Sequence, residues 1–250
     1  WPLQNGLTLI HQNNMGSFIG PDITTDGLIL YADPANLKSN EGGLNMADMT
    51  GTYDDSVDNS SEMSIGGDPK FITSNGNGGQ FRYLPANSVY VDWATTEWSI
   101  SVWGLRDTST GNKTRMWDLS NAGNGHLRLT LDSVPNLNFR PAGSGSYSLV
   151  SGGASTTGQW YNIVITKSGT TSGGSATYVM YNNGVQVASN TSSALITESA
   201  FTYITIMRSP DDDQTTISWD GDFGPFSVYN KILSAAEVAQ NFNGLKSRFL

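Results

Sequence analysis

Two runs rich in β-forming residues, Thr177-Tyr-Val-Met-Tyr181 and Val185-Gln-Val-Ala188, flank the tripeptide Asn182-Asn183-Gly184. An Asn-Gly pair accommodates the two positive-φ positions of a type I′ turn, whose twist matches that of paired strands. This segment therefore predicts an antiparallel β-hairpin. A chain that commits to such a hairpin needs further strands to bury it.

The remaining sequence supplies them. Leu28–Ala32, Gln80–Leu84, Ser88–Val91, Thr114–Trp117, His126–Leu131 and Leu137–Phe139 are strand-length runs. They are separated by turn-forming patches such as Ser74-Asn-Gly-Asn-Gly-Gly79, Gly143–Ser146, Ser151–Gly153 and Ser168–Ser175. Trp98-Ser-Ile-Ser-Val-Trp-Gly104 alternates, with Trp98, Ile100 and Val102 on one face and Ser99, Ser101 and Trp103 on the other. Successive strand side chains point to opposite faces, so this run reads as a half-buried central strand. Strands at short, regular spacing indicate an all-β architecture. One short helix is expected near the C-terminus, where Ser234-Ala-Ala-Glu237 forms a capping box. Leu233 and Val238 are placed as its hydrophobic staple, Val238 and Phe242 share a face, and Gly244 is the expected stop.

All 250 residues fit one β-domain, which routinely reaches this length. Trp1–Thr25, with its polar spacers and little periodicity, reads as an N-terminal arm, and residues 26–250 as the sandwich. The arm buries too little apolar surface to order itself, so Phe18 and Ile19 are expected to anchor it on another subunit or virion protein; the alternative is that the arm lies along its own sandwich as an extra edge strand. No run approaches the length of a membrane span. Residues 1–6 lack the basic and apolar regions of a signal peptide, and the start at Trp1 suggests a processed or late-started chain.

The absence of cysteine removes thiol catalysis, zinc-thiolate sites and redox switching. Charged residues are 14% of the chain, against roughly 25% in typical globular domains. Asn, Ser, Thr and Gly replace them, giving a surface of amides and hydroxyls. A net charge of −9 argues against a nucleic-acid backbone as partner.

The runs Asp26–Asp33, Trp98–Trp103, Trp160-Tyr-Asn-Ile-Val-Ile-Thr166 and Tyr178–Val187 resemble, in order, those of concanavalin A-like, laminin G-like jelly rolls. So does Trp219-Asp-Gly-Asp-Phe-Gly-Pro-Phe-Ser-Val-Tyr-Asn-Lys-Ile-Leu-Ser-Ala-Ala-Glu-Val238, a strand followed by a short capped helix. The resemblance implies a two-sheet antiparallel sandwich and a lectin-like function. The tail Gln240–Phe249 is also similar to the endings of tailed-phage structural proteins that carry such domains. With the charge-poor surface and the absent cysteine, this leads us to expect a phage virion component. It would display its sandwich for adhesion to host-surface glycans, contact other virion proteins, and form a homo-oligomer through the arm. The alternatives are a free extracellular carbohydrate-binding module, with or without calcium, and, ranked last, a glycan hydrolase.

Glycan hydrolases of the resembling fold carry an E-x-D-x-x-E strand, which aims three carboxyl groups at one face. The five glutamates here (Glu41, Glu62, Glu97, Glu198 and Glu237) are not arranged that way, so no catalytic residue is expected. Asp220 and Asp222, spaced i, i+2, share a face if extended and are candidates for a cation or glycan site; the alternative is a turn leading into the last strand. Asp211 and Asp213 lie in an acidic cluster suited to calcium, which takes six to eight oxygens. Asp118, Asn121 and Asn124 read as another oxygen-rich loop. His11 and His126 read as ordinary polar residues. Trp93, beside a loop, is the candidate sugar-stacking platform, whereas Trp98, Trp160 and Trp219 fall in strand patterns.

Overall fold

The computed structural model describes residues 23–40, 44–58, 60–85, 92–107, 114–120, 125–141, 146–172, 174–193, 203–208 and 218–250. Among the described residues, fifteen strands form two antiparallel sheets. The larger sheet runs in the order β13 (Val185–Ser192), β12 (Ala176–Asn182), β11 (Trp160–Gly169), β6 (Trp98–Arg106), β15 (Asp220–Tyr229), β4 (Phe71–Asn75), β3 (Met63–Gly66). Its eighth strand, β1 (Leu28–Ala32), pairs with β15. The smaller sheet runs β10 (Tyr147–Ser151), β9 (Pro135–Pro141), β8 (Gly125–Leu131), β7 (Arg115–Ser120), β14 (Tyr203–Ile206), β5 (Gln80–Pro85), β2 (Tyr53–Asp58). The two-sheet sandwich implied by the sequence is the fold. The expected strand at Ser88–Val91 lies outside the described residues.

The core follows from alternation. Trp98, Ile100 and Val102 of β6 point inward with Phe226 and Val228 of β15. Leu127 and Leu129 of β8, with Leu137 and Phe139 of β9, do the same from the other sheet. Tyr83 and Phe226 stack across the gap with ring centroids 6.3 Å apart. Each such side chain contributes roughly 1.5–3 kcal/mol on burial.

The hairpin forms as expected. Asn183 and Gly184 have φ of 51° and 79°, the signs a type I′ turn requires, and Asn182 pairs with Val185. The helix α1 (Ala235–Leu245) starts at a complete capping box: the Ser234 side chain accepts from the Glu237 backbone, and the Glu237 side chain accepts from the Ser234 backbone. Leu233 and Val238 pack together with Val164, Tyr181 and Tyr229. The stop differs from expectation. Gly244 remains inside α1, and Lys246 caps it with ordinary right-handed φ and ψ before a 3₁₀ turn over Lys246–Arg248.

That C-terminal extension changes β6. Trp103, on the face away from the core, stacks on Phe242 (5.6 Å) and Phe249 (4.7 Å), and Phe249 also meets Trp160 at 4.5 Å. Arg248 fixes the turn through two 2.7 Å bonds to the Asp33 carboxylate. β6 is thus buried on both faces, not on one. At the other end of the chain, the Thr24 N–H donates to Asn241 Oδ1 of α1 at 2.7 Å. Phe18 and Ile19 lie outside the described residues.

Candidate functional site

The face of the smaller sheet turned away from the core carries the main concentration of polar chemistry. Cross-strand pairing defines it: Thr205 lies opposite both Arg82 and Asp118, Asp118 opposite Arg128, and Arg128 opposite Asn138. A parallel row joins Ser120, His126 and Arg140. Side chains directly opposite in antiparallel strands share a face, so these rows form one surface.

Asp118 is its centre. The carboxylate is fully buried and accepts a 2.7 Å bond from Arg115 Nη1 on one oxygen, while the other lies 3.0 Å from His126 Nδ1. Strict alternation would place residues 115 and 118 on opposite faces. A register shift between Arg115 and Trp117 brings them to the same one. A buried carboxylate needs such partners, because an unpaired charge out of water is strongly destabilising. Beside it Thr205 is fully buried, and its hydroxyl has no hydrogen-bond partner among the described residues.

The flank over β8 to β10 is more open. Arg128, Thr130, Asn136 and Asn138 are half-buried, and Arg140 and Ser148 are exposed. Arg128 donates to Ser146 Oγ at 2.9 Å, and Ser148 donates to Asn136 Oδ1 at 2.9 Å. Forked guanidinium donors beside amides and hydroxyls can hold sugar hydroxyls and acidic substituents. Asp118 is the sole acid on β5, β7, β8, β9, β10 and β14.

The residues singled out from sequence fall elsewhere. Trp93 is 2% exposed and meets Trp98 edge-on at 5.7 Å, with Trp98 Nε1 donating to its carbonyl at 3.2 Å. It is therefore a core residue and not a stacking platform. Its loop is held by Asp92, which accepts from the backbone of Ala94 and Thr95, and by the fully buried Lys167. Lys167 Nζ donates to the carbonyls of Ala94 (3.0 Å), Thr96 (2.8 Å) and Gly169 (3.0 Å). Burial pulls the Lys167 ammonium down to about 8, opposed by Asp92 and Glu97.

Asp220 and Asp222 do occur in extended backbone, as the first and third residues of β15, and both are half-buried. Gly221 between them has φ of 137°, and a Cβ there would sit 2.1 Å from the Leu105 carbonyl oxygen. The segment is thus part of the strand and not a turn before it. Asp222 is occupied: Thr73 Oγ1 donates to it at 2.7 Å, and burial raises its carboxyl above the usual range despite that bond. Among the described residues, no group of three or more His, Cys, Asp or Glu is arranged to hold a metal ion. Asp211, Asp213, Asn121, Asn124 and His11 lie outside the described residues. Asp118 lies in strand β7 and not in a loop, and its carboxylate is engaged by Arg115 and His126. His126, read as ordinary, is part of this cluster.

Comparison with known proteins places the fold. A domain of the extracellular arabinanase of Geobacillus stearothermophilus, solved in complex with arabinotriose, is similar at a TM-score of 0.63 and 17% identity, covering 86% of this chain and 98% of that one. The botulinum neurotoxin serotype D binding domain is similar at 0.64 and 15%, covering 88% and 52%. The binding domain of Paraclostridial Mosquitocidal Protein 1 follows at 0.60 and 16%, covering 87% and 52%. The chain thus spans about half the length of those toxin domains. No curated protein sequence matches it significantly. The laminin G-type family model described as the concanavalin A-like lectin/glucanases superfamily matches residues 75–239, more than half of the sequence. The chain belongs to that concanavalin A-like lectin/glucanase superfamily.

Proposed function

We propose that this domain is an adhesion module that binds glycan on the outward face of its smaller sheet and does not cleave it. The observation that carries the reading is the make-up of that face. Arginine, amide and hydroxyl groups surround a single buried carboxylate already held by Arg115 and His126. Glycoside hydrolysis calls for two carboxyl groups flanking the bond, about 5–10 Å apart, and Asp118 has no second acid beside it on β7 to β9. The arabinotriose complex of one structural neighbour supports a sugar as ligand. The test is a glycan array on the intact chain, followed by calorimetry on the hits. Retention of a glycan, with its loss in Asn138→Ala and no reducing ends released, is the expected result. Binding unchanged in Asn138→Ala and Arg128→Ala would overturn the site, and release of reducing ends would overturn the non-catalytic role.

We also propose that the module is displayed on a phage virion, with residues 1–25 reaching a neighbouring copy or virion protein. The charge-poor surface, the absence of cysteine and the similarity of the tail to phage structural proteins support this placement. Mass spectrometry of purified particles tests it: stoichiometric presence is expected, and absence from particles would leave the free extracellular module as the account. Deleting residues 1–20 should leave a folded sandwich that no longer assembles. Unfolding on deletion would assign the arm to the core instead.

A further inference from the structure

We propose that the glycan taken by this face is anionic and is held by arginine at the β8–β9 end of the smaller sheet. The inference rests on the glycan-binding reading above and names the class of sugar. The chain is acidic overall, with a net charge of −9 and seven arginines among its 13 basic residues. Four of the seven, Arg82, Arg115, Arg128 and Arg140, stand on strands of this sheet, together with His126. No lysine stands on those strands.

The larger sheet presents a contrast. Its strands carry only Arg106 and Lys167 as basic residues. Arg106 is 3.2 Å from Asp132, and Lys167 is enclosed by three carbonyls. Arg248 is held by Asp33, and Lys231 by Asp26 and Glu237. The arginines of the smaller sheet are thus a local concentration of basic residues within an acidic sequence.

The choice of arginine matters chemically. A guanidinium presents paired donors that match a carboxylate or sulfate in two parallel bonds, whereas an ammonium acts as a point charge. Arg115 is committed to Asp118. Arg128 and Arg140 stand on the open flank, and their register makes them diagonal neighbours, a spacing of about 7–8 Å. Arg140 is exposed and has no ion pair among the described residues. Asn136 and Asn138 lie on the same strand as Arg140, as partners for sugar hydroxyls. One guanidinium can meet a single acidic group on a sugar, with the amides beside it taking hydroxyls.

The test measures binding of the intact protein to matched neutral galacto-oligosaccharides, oligogalacturonates and sulfated galactan oligosaccharides. It is run at about 0.05 M and about 0.5 M NaCl, across which exposed charge pairs are increasingly screened. One anionic series should bind at least about tenfold more tightly than the neutral one, and more weakly at high salt. The series that binds distinguishes a carboxylate from a sulfate as the anion. Arg140→Gln and Arg128→Gln should each reduce that preference about tenfold at unchanged melting temperature, and Arg128→Lys should not restore it. Neutral sugars bound as tightly as anionic ones, or a preference unmoved by Arg140→Gln, would overturn the anionic class while leaving glycan binding intact. Equal retention of inorganic polyphosphate would also overturn it, as unspecific attraction. No binding in any series would remove both this inference and the glycan reading.

Discussion

Replacing Gly184 with valine tests two structural claims together. Gly184 has φ of +79°, a region where a β-branched residue is strongly disfavoured. Holding valine there costs about 1–3 kcal/mol. A Cβ at this position would also lie 2.9 Å from Cδ1 of Phe242 on α1. That ring cannot move freely, because it stacks on Trp103 at 5.6 Å. Forcing the contact adds about 1–3 kcal/mol, typical of overpacking. Together the loss should be about 2–6 kcal/mol. For a chain of this size each kcal/mol shifts the melting temperature by about 2–4 °C, so a drop of roughly 4–24 °C is expected. Thermal and urea unfolding of four proteins separate the parts: the unaltered protein, Gly184→Val, Phe242→Ala and the double variant. With Phe242 truncated, Gly184→Val should cost about 1–3 kcal/mol less, because only the backbone term remains. An equal cost in both backgrounds would refute the contact between turn and helix. An unchanged melting temperature in Gly184→Val would refute the type I′ turn itself.

Ser234→Ala removes the N-cap of α1 and should destabilise the protein by about 0.5–2 kcal/mol; hydrogen exchange should quicken at Val238–Phe242, and no change there would mean the capping box is not holding the first turn. Lys167 sets a pH dependence. Its folded pKa, lowered by burial to about 8 from an ordinary 10.5, means that the unfolded chain binds more protons between these values. The contribution of Lys167 to stability should therefore rise with pH across that window, by up to about 3 kcal/mol. Tyr53 and Tyr229, pushed up to about 12 by burial, act oppositely above pH 10. The comparison with Lys167→Met is best made from pH 8 to 10, and a stability difference independent of pH there would contradict the burial of the ammonium.

What was legible in the sequence was mostly local. The Asn183-Gly184 turn and the Ser234–Glu237 capping box are each specified within four residues, and both form as read. The order of the strand motifs was enough for the sandwich. What escaped depends on distant partners. β6 looked one-sided because its second cover, Phe242 and Phe249, is supplied from beyond residue 240. Trp93 looked exposed because its neighbours, Trp98 and the Lys167 clamp, come together only through the fold. The Arg115–Asp118–His126 cluster was hidden by the irregularity in β7, which breaks the period-two rule used to assign faces. Arg128 and Arg140 could have been found, since alternation in His126–Leu131 and Leu137–Phe139 sets the faces of β8 and β9. The signal was their concentration in an otherwise acidic chain.

The central claim is that sugar is bound on the outward face of the smaller sheet. It is tested most directly by mapping backbone amide chemical shifts of the intact protein during titration with a glycan identified on the array. The account predicts that the largest changes fall on Gly125–Leu131 and Asn136–Arg140, extending to Ser148. Changes confined to the larger sheet, to Asp220–Asp222 or to the loop around Trp93 would contradict it.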